Sequence, residues 1–384
     1  MSQVTNPDAA GMNVDATTLL GGGGSIWRQL LITAIAIVLG LLVGAILIIL
    51  SGVIGPAQTF DPTLPITAYG AVLEGALGGP KAIANTLNAA TPLIFAGLSV
   101  AVGFRAGLFN IGANGQLLVG GFCAALVGIS VPAPFPIALT LALLAGGLGG
   151  ALWGFIPGAL KAWRGAHEVV TTIMLNSVAY LLLNLLASGV FKDPTATFPR
   201  TPDIQTGAVL PIILENTRLH GGIILAVLSA IVVWFVLFKT TLGFEIRTVG
   251  ASASAARYAG IRPALITITT MSIAGGLAGL GGSVEILGIT KNYPAEYLVN
   301  YGFDGIAVAL LGRAHPLGVV GGALLFGVMR AGAGSMQRAT EIPVDIISIV
   351  QGVILLFVAA QVIIQRLLPA ARTRRRGEPA AAAA

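Results

Sequence analysis

The longest apolar runs decide the class of this chain. Gln29–Gly52, Phe135–Leu160 and Val344–Ile364 each offer at least the roughly 20 apolar residues that a helix needs to cross a bilayer. Of the 384 residues, 55% are hydrophobic and 9% charged, far too little charge to cover a soluble protein of this length. The chain reads as an all-α integral membrane protein. One membrane domain, 29–366, lies between a flexible polar arm, 1–28, and a basic, low-complexity tail, 367–384. Gly21–Ser25 has linker composition. The arm lacks the order of a secretory signal, in which positive charge and a short apolar core come first.

Ten crossings fit the pattern, near 29–52, 84–103, 112–130, 135–160, 170–190, 220–238, 264–288, 303–313, 316–332 and 344–365. The eighth is about half a span, bounded by Gly302 and Gly312, and reads as a broken or re-entrant helix. With the N-terminus inside, most of the 21 lysines and arginines fall in inner segments, and Arg330 and Arg338 belong to the outer minority. That bias predicts cytoplasmic termini. The Arg374–Arg376 cluster suits anionic headgroups, and no nucleic-acid site is expected. Cys123 is the only cysteine, and His167, His220 and His315 are widely spaced, so no metal site is expected.

Two segments repeat. Leu108–Gly115 reads LFNIGANG and Leu298–Gly305 reads LVNYGFDG, sharing L-x-N-x-G-x-[N/D]-G. The orientation above puts the first copy at the inner face and the second at the outer face, as in an inverted-topology repeat. Amides within a membrane are costly unless they line water, bind something or pair with one another. Asn110, Asn114, Gln116, Asn300 and Asp304 are therefore candidates for the lining of a pathway, with helix-to-helix hydrogen bonding as an equal alternative. Asn176, after Thr171 and Thr172 in the fifth span, suits either purpose. Glu285, late in the seventh span, is either hydrated near the outer headgroups or buried and functional.

The longest inner loop, 239–263, is the most specific segment. Ser252 is placed to cap a short helix, Ala253–Ala259, and Gly260 to end it, with Glu245, Arg247 and Arg257 around it. A two-turn helix is marginal alone in water, so it reads as a docking element for a cytoplasmic partner or as a helix resting on its own membrane domain. No G-x-x-x-x-G-K-[ST] phosphate loop occurs, and no catalytic set of side chains is evident. Any uphill transport must draw its energy from another subunit or from an ion gradient.

Together FRAGLFNIGANGQ (Phe104–Gln116), HEVVTTIMLN (His167–Asn176) and TLGFEIRTVGASASAARYAGI (Thr241–Ile261) resemble the permease subunits of ATP-binding-cassette importers. The likeness is to the nucleoside and simple-sugar branch, related to ribose and branched-chain amino acid permeases, and runs from about Ile83 to Ile364. It implies a type II importer-like permease in a bacterial inner membrane, without a cofactor of its own. ATP and Mg would belong to a separate ATPase subunit, beside a second similar permease in a heterodimer and an extracytoplasmic substrate-binding lipoprotein. The loop Thr241–Ile261 would carry the coupling helix, with Glu245, Arg247, Ser252, Arg257 and Gly260 at the ATPase contact. Relatives usually have an Asn, often with Pro, before the Ala-Ala pair, where this chain has Ser252 and Ser254. The first motif resembles purine nucleoside permeases, with ribose-type sugars or branched-chain amino acids as alternative cargo. An ion-coupled secondary transporter, with Glu285 or Asp304 as proton site, is the rival class, and an intramembrane enzyme is disfavoured.

Overall fold

The computed structural model describes residues 26–54, 60–297 and 299–367. The Gly21–Ser25 linker with the arm before it, the tail from residue 368 and Leu298 of the second repeat copy lie outside the described residues. Among the described residues thirteen α-helices follow one another. They are α1 (Ile26–Ile54), α2 (Leu64–Leu77), α3 (Pro80–Arg105), α4 (Ala113–Ser130), α5 (Ile137–Arg164), α6 (Glu168–Ser188) and α7 (Gly222–Lys239), then α8 (Thr241–Ala251), α9 (Ala253–Tyr258), α10 (Pro263–Glu285), α11 (Tyr301–Leu311), α12 (Pro316–Thr340) and α13 (Asp345–Leu367). A single π turn, Ile286–Thr290, prolongs α10.

Among the described residues eight helices are long and apolar enough to cross a membrane: α1, α3, α4, α5, α6, α7, α10 with its π turn, and α12. With 23 residues, α13 also has the length. The eighth expected crossing is the 11-residue α11, about 16 Å long and too short to span. Helix α2 falls between the first two expected crossings. Its 14 residues bury Pro65, Ala68, Val72 and Ala76 on one face, the three-and-four spacing of an amphipathic helix. That stripe lies against α12, and Tyr69 Oη donates to the Leu41 carbonyl of α1 at 2.7 Å.

The packing pairs two sets of helices element by element. In the first set α3 to α6 follow one another, in the second α10 to α13. Helix α10 packs on α5 and α4, and its counterpart α3 packs on α12 and α11. The α4–α6 contact is answered by α11–α13, and α5–α6 by α12–α13. At the centre α3 packs on α10, and α4 touches α11.

Without a hydrophobic drive inside lipid, such helices associate through close backbone approach, which small residues permit. Gly146, Gly150 and Gly154 repeat every fourth residue along α5 and face Gly275 and Gly279 of α10. A Cβ on Gly150 would stand 2.7 Å from Gly279 Cα, nearer than packed atoms tolerate. Backbone contact along this seam fixes the depth of α10, and with it Glu285.

Candidate functional site

The two repeat copies do not lie on opposite faces as expected; they meet. Helix α3 ends at Arg105, and the chain reverses at Gly107, whose φ of 70° is a left-handed value open to glycine. Leu108 N returns to the Gly103 carbonyl at 2.9 Å, and Asn110 Nδ2 reaches Ser99 Oγ at 3.1 Å. Ser99 is six residues back along α3, about 9 Å into the protein. Helix α4 therefore starts at depth. From the other end of the bundle, the segment after Lys291 runs inward until α11 starts at Tyr301. Gly302 N donates to Asn114 Oδ1 at 3.2 Å, joining the two helix starts.

Two helix N-termini that abut inside a membrane expose amide donors lacking intrahelical acceptors, and both carry the positive end of the helix dipole. Side-chain oxygens answer them. Asn176 Oδ1 accepts from Gly115 N at 2.7 Å, while its Nδ2 donates to the Ile111 carbonyl at 3.0 Å. Asn110 Oδ1 accepts from Gly112 N at 3.2 Å, and Asn114 serves α11. Asn110 and Gln116 also exchange hydrogen bonds at 2.9 and 3.2 Å, and both are fully buried. In this conformation Asn110, Gln116 and Asn176 are engaged within the protein.

A second group lies beside the start of α11. Glu285 is buried, and Tyr301 Oη donates to its Oε1 at 3.4 Å. Arg330 holds its guanidinium 4.6 Å from the Tyr301 ring centroid and pairs with Asp304 at 3.4 Å. Asn300, at the N-cap of α11, is exposed, whereas its repeat partner Asn110 is buried. Arg330 was expected in an outer segment. Helix α12 instead runs on to Thr340 and leaves Arg330 mid-helix. The apolar run thins at Arg330 because the following turns are built of Ala, Gly and Ser, which pack on α2 without being strongly apolar. An arginine inside an apolar helix is itself the signal that could have placed it here.

The loop from 239 to 263 folds as two helices on one end of the bundle. Thr240 Oγ1 caps α8 by accepting from Gly243 N at 3.2 Å. Ser252 Oγ caps α9 by accepting from Ala255 N at 3.3 Å, and Gly260 ends it at φ 81°. Arg257 is exposed and Tyr258 is 95% exposed, a projecting aromatic that sequence reasoning passed over. Glu245 is half-buried. Arg247 turns inward, 5.3 Å from the Phe238 ring centroid, with Nη1 buried and unpartnered among the described residues. The same ring receives Arg105 at 5.2 Å and the stacked His315 imidazole at 5.4 Å. Burial, and then the Arg105 charge, push His315 below the ordinary histidine value. Arg247 thus anchors α8 to the membrane domain, and α9 is left to project.

At the opposite end a cleft of about 900 Å³ opens between α2, α3 and α12, with Glu74, Lys81, Glu215 and Arg338 in its lining. Among the described residues no cluster of His, Cys, Asp or Glu is able to hold a metal ion.

Two inverted sets of helices whose broken members meet at depth define a membrane transport permease. The chain belongs to the family described as branched-chain amino acid transport system / permease component, whose profile matches residues 82–359. It is 41% identical over 337 residues to the guanosine ABC transporter permease protein of Bacillus subtilis, covering 86% of this chain and 93% of that one. With the nucleoside ABC transporter permease protein of Lactococcus lactis it shares 36% over 371 residues, 92% of this chain and 99% of the relative. With the glucose ABC transporter permease protein of Haloferax volcanii it shares 34% over 328 residues, 83% and 86% of the two chains. No solved structure matches the chain. The protein is a multi-pass membrane permease subunit and carries transport rather than catalysis.

Proposed function

We propose that this permease admits nucleosides, purine nucleosides foremost, into the cytoplasm by alternating access driven by a separate ATPase. Two of the three relatives above are described as guanosine and nucleoside permeases, and both are more similar to this chain than the glucose permease is. The observation that carries the transport mechanism is the junction of the two helix starts at Gly302 and Asn114. Relative movement of the two repeats breaks that contact and opens a route between them. Asn114, Asn300, Asp304 and Glu285 offer donors and acceptors to cargo hydroxyls or base edges. Asn110, Gln116 and Asn176 keep the helix starts in place until the repeats move.

The ATPase docks on α9, where Arg257 and Tyr258 project and Ser252 and Gly260 set the ends of the helix. Glu245 borders that contact, and Arg247 passes its motion to α7 through Phe238. The α9 end of the bundle is then cytoplasmic, as are both termini. The opposite cleft faces a substrate-binding lipoprotein, and a second permease completes the pathway. Specificity rests mainly on the binding protein, since tight binding within the pathway would trap the cargo.

Competition tests the cargo. Unlabelled guanosine should suppress uptake of labelled guanosine by the full complex, whereas ribose and leucine at the same concentration should not. No saturable uptake of labelled guanosine, or suppression by ribose or leucine as strong as by guanosine, overturns the nucleoside reading.

A further inference from the structure

Most charged side chains of the described membrane helices lie near helix ends. The exception is Arg330, in the middle of α12, which pairs with Asp304 in the first turn of α11. The side chains keep 39% and 30% of their exposure, and beside them Asn300 and Phe303 are exposed too. A half-exposed arginine at this depth cannot face hydrocarbon without a large penalty, so the space beside it holds water or protein. Elsewhere large apolar side chains are exposed at mid-helix, as expected toward lipid, such as Leu42 on α1, Leu152 on α5, Leu181 on α6 and Leu228 on α7.

Arg330 also grips α11 at two points. Its guanidinium lies over Tyr301, the first residue of the helix, and pairs with Asp304 one turn on. Gly302, whose N–H joins the two repeats, lies between those points. Helix α11 cannot move away from α12 without releasing both grips. The 3.4 Å ion pair is long and partly exposed, so hydroxyl groups entering beside it are able to replace each half of it.

We propose that Arg330 and Asp304 stand on the aqueous route and act as its latch, closing α11 against α12 until the cargo parts them. This rests on the transport reading above and adds to it a positioning residue, Arg330, and a side of the molecule for the route. Cargo of any polyhydroxylated kind satisfies the pair, so the latch does not depend on the cargo being a nucleoside.

The test uses the full complex in proteoliposomes, with Cys123→Ser removing the native thiol. Asn300→Cys, Leu42→Cys and Leu228→Cys are compared for reaction with a charged, membrane-impermeant methanethiosulfonate. Asn300→Cys should react at least about tenfold faster than either leucine position, and an equally slow reaction overturns the placement on water. Adding Arg330→Gln, which removes the charge and keeps a polar head, should raise the Asn300→Cys rate by several-fold; an unchanged rate overturns the latch. Arg330→Asp and Asp304→Arg alone should each lower uptake at least about tenfold at normal membrane abundance, and the two together should recover most of it. A double variant no better than the worse single one also counts against the latch. Because the labelling needs no cargo, its result separates failure of the latch from failure of the nucleoside reading.

Discussion

Gly302→Ala is the sharpest perturbation of the junction between the repeats. A Cβ there would overlap Asn114 N and Cα and stand 2.7 Å from the Ala113 carbonyl carbon. All three are backbone atoms of a buried helix start, so no side chain can rotate away. Carbon atoms pack at about 3.5–4.0 Å, and the two helix starts must therefore part by about 1 Å or more. The Gly302 N to Asn114 Oδ1 bond begins at 3.2 Å and does not survive such a shift. Overpacking contributes about 1–3 kcal/mol and the unmet buried amide a further 1–3 kcal/mol or so, for a total of roughly 2–6 kcal/mol. The control is Gly321→Ala on α12, where nothing lies within 4 Å of the added carbon and alanine favours the helix. Thermal unfolding in mild detergent and uptake in proteoliposomes measure both. Gly302→Ala should melt clearly below Gly321→Ala and lose most of its uptake. Equal melting and equal uptake of the two variants would refute the contact between the repeats.

Three further perturbations probe other parts of the site. Asn176→Ala removes the partners of Gly115 N and the Ile111 carbonyl and should cost about 1–3 kcal/mol for each group left unmet, read as a lower melting temperature. Melting equal to that of the unaltered protein would show that α4 does not need this cap. Arg257→Glu and Tyr258→Ala alter exposed side chains of α9, so melting should hold while uptake driven by ATP falls at least about tenfold; normal coupled uptake in both removes α9 from the ATPase contact. Burial and the Arg105 charge hold His315 below its ordinary value, so the folded protein binds fewer protons there than the unfolded chain. Its contribution to stability is complete above about pH 6.5 and declines as pH falls through that value. His315→Phe keeps the ring stacked on Phe238 and should flatten the fall in melting temperature between pH 7 and 5. An identical pH profile in that variant places the titration elsewhere.

Much of this was legible in the sequence because it rests on local quantities. Apolar length alone located nine long helices and marked the eighth crossing as half a span. The cap at Ser252 and the stop at Gly260 follow from hydrogen-bonding and backbone preferences of single residues, and the helix ended one residue earlier than expected, at Tyr258. Helix α2 was missed because 14 residues with a Pro, a Glu and two Gly fall short of the long apolar runs that were sought. Its stripe of Pro65, Ala68, Val72 and Ala76 was readable by period.

The sequence by itself determined that the chain crosses a membrane many times, that its two halves carry one motif, and that polar residues concentrate at the breaks. Only the tertiary structure decided which of those residues are spent within the protein and which remain open. Asn110 and Asn300 hold the same place in the repeat, yet the first bonds to Ser99 and Gln116 while the second is exposed. An amide's partners depend on which helix lies beside it, and that is set by the glycine seam between α5 and α10 and by the return of the chain after α3. The same holds for Arg330, whose neighbours Tyr301 and Asp304 come from a helix far from it in sequence. Hydropathy and caps belong to short stretches of chain, whereas the closure of a route belongs to pairs of helices.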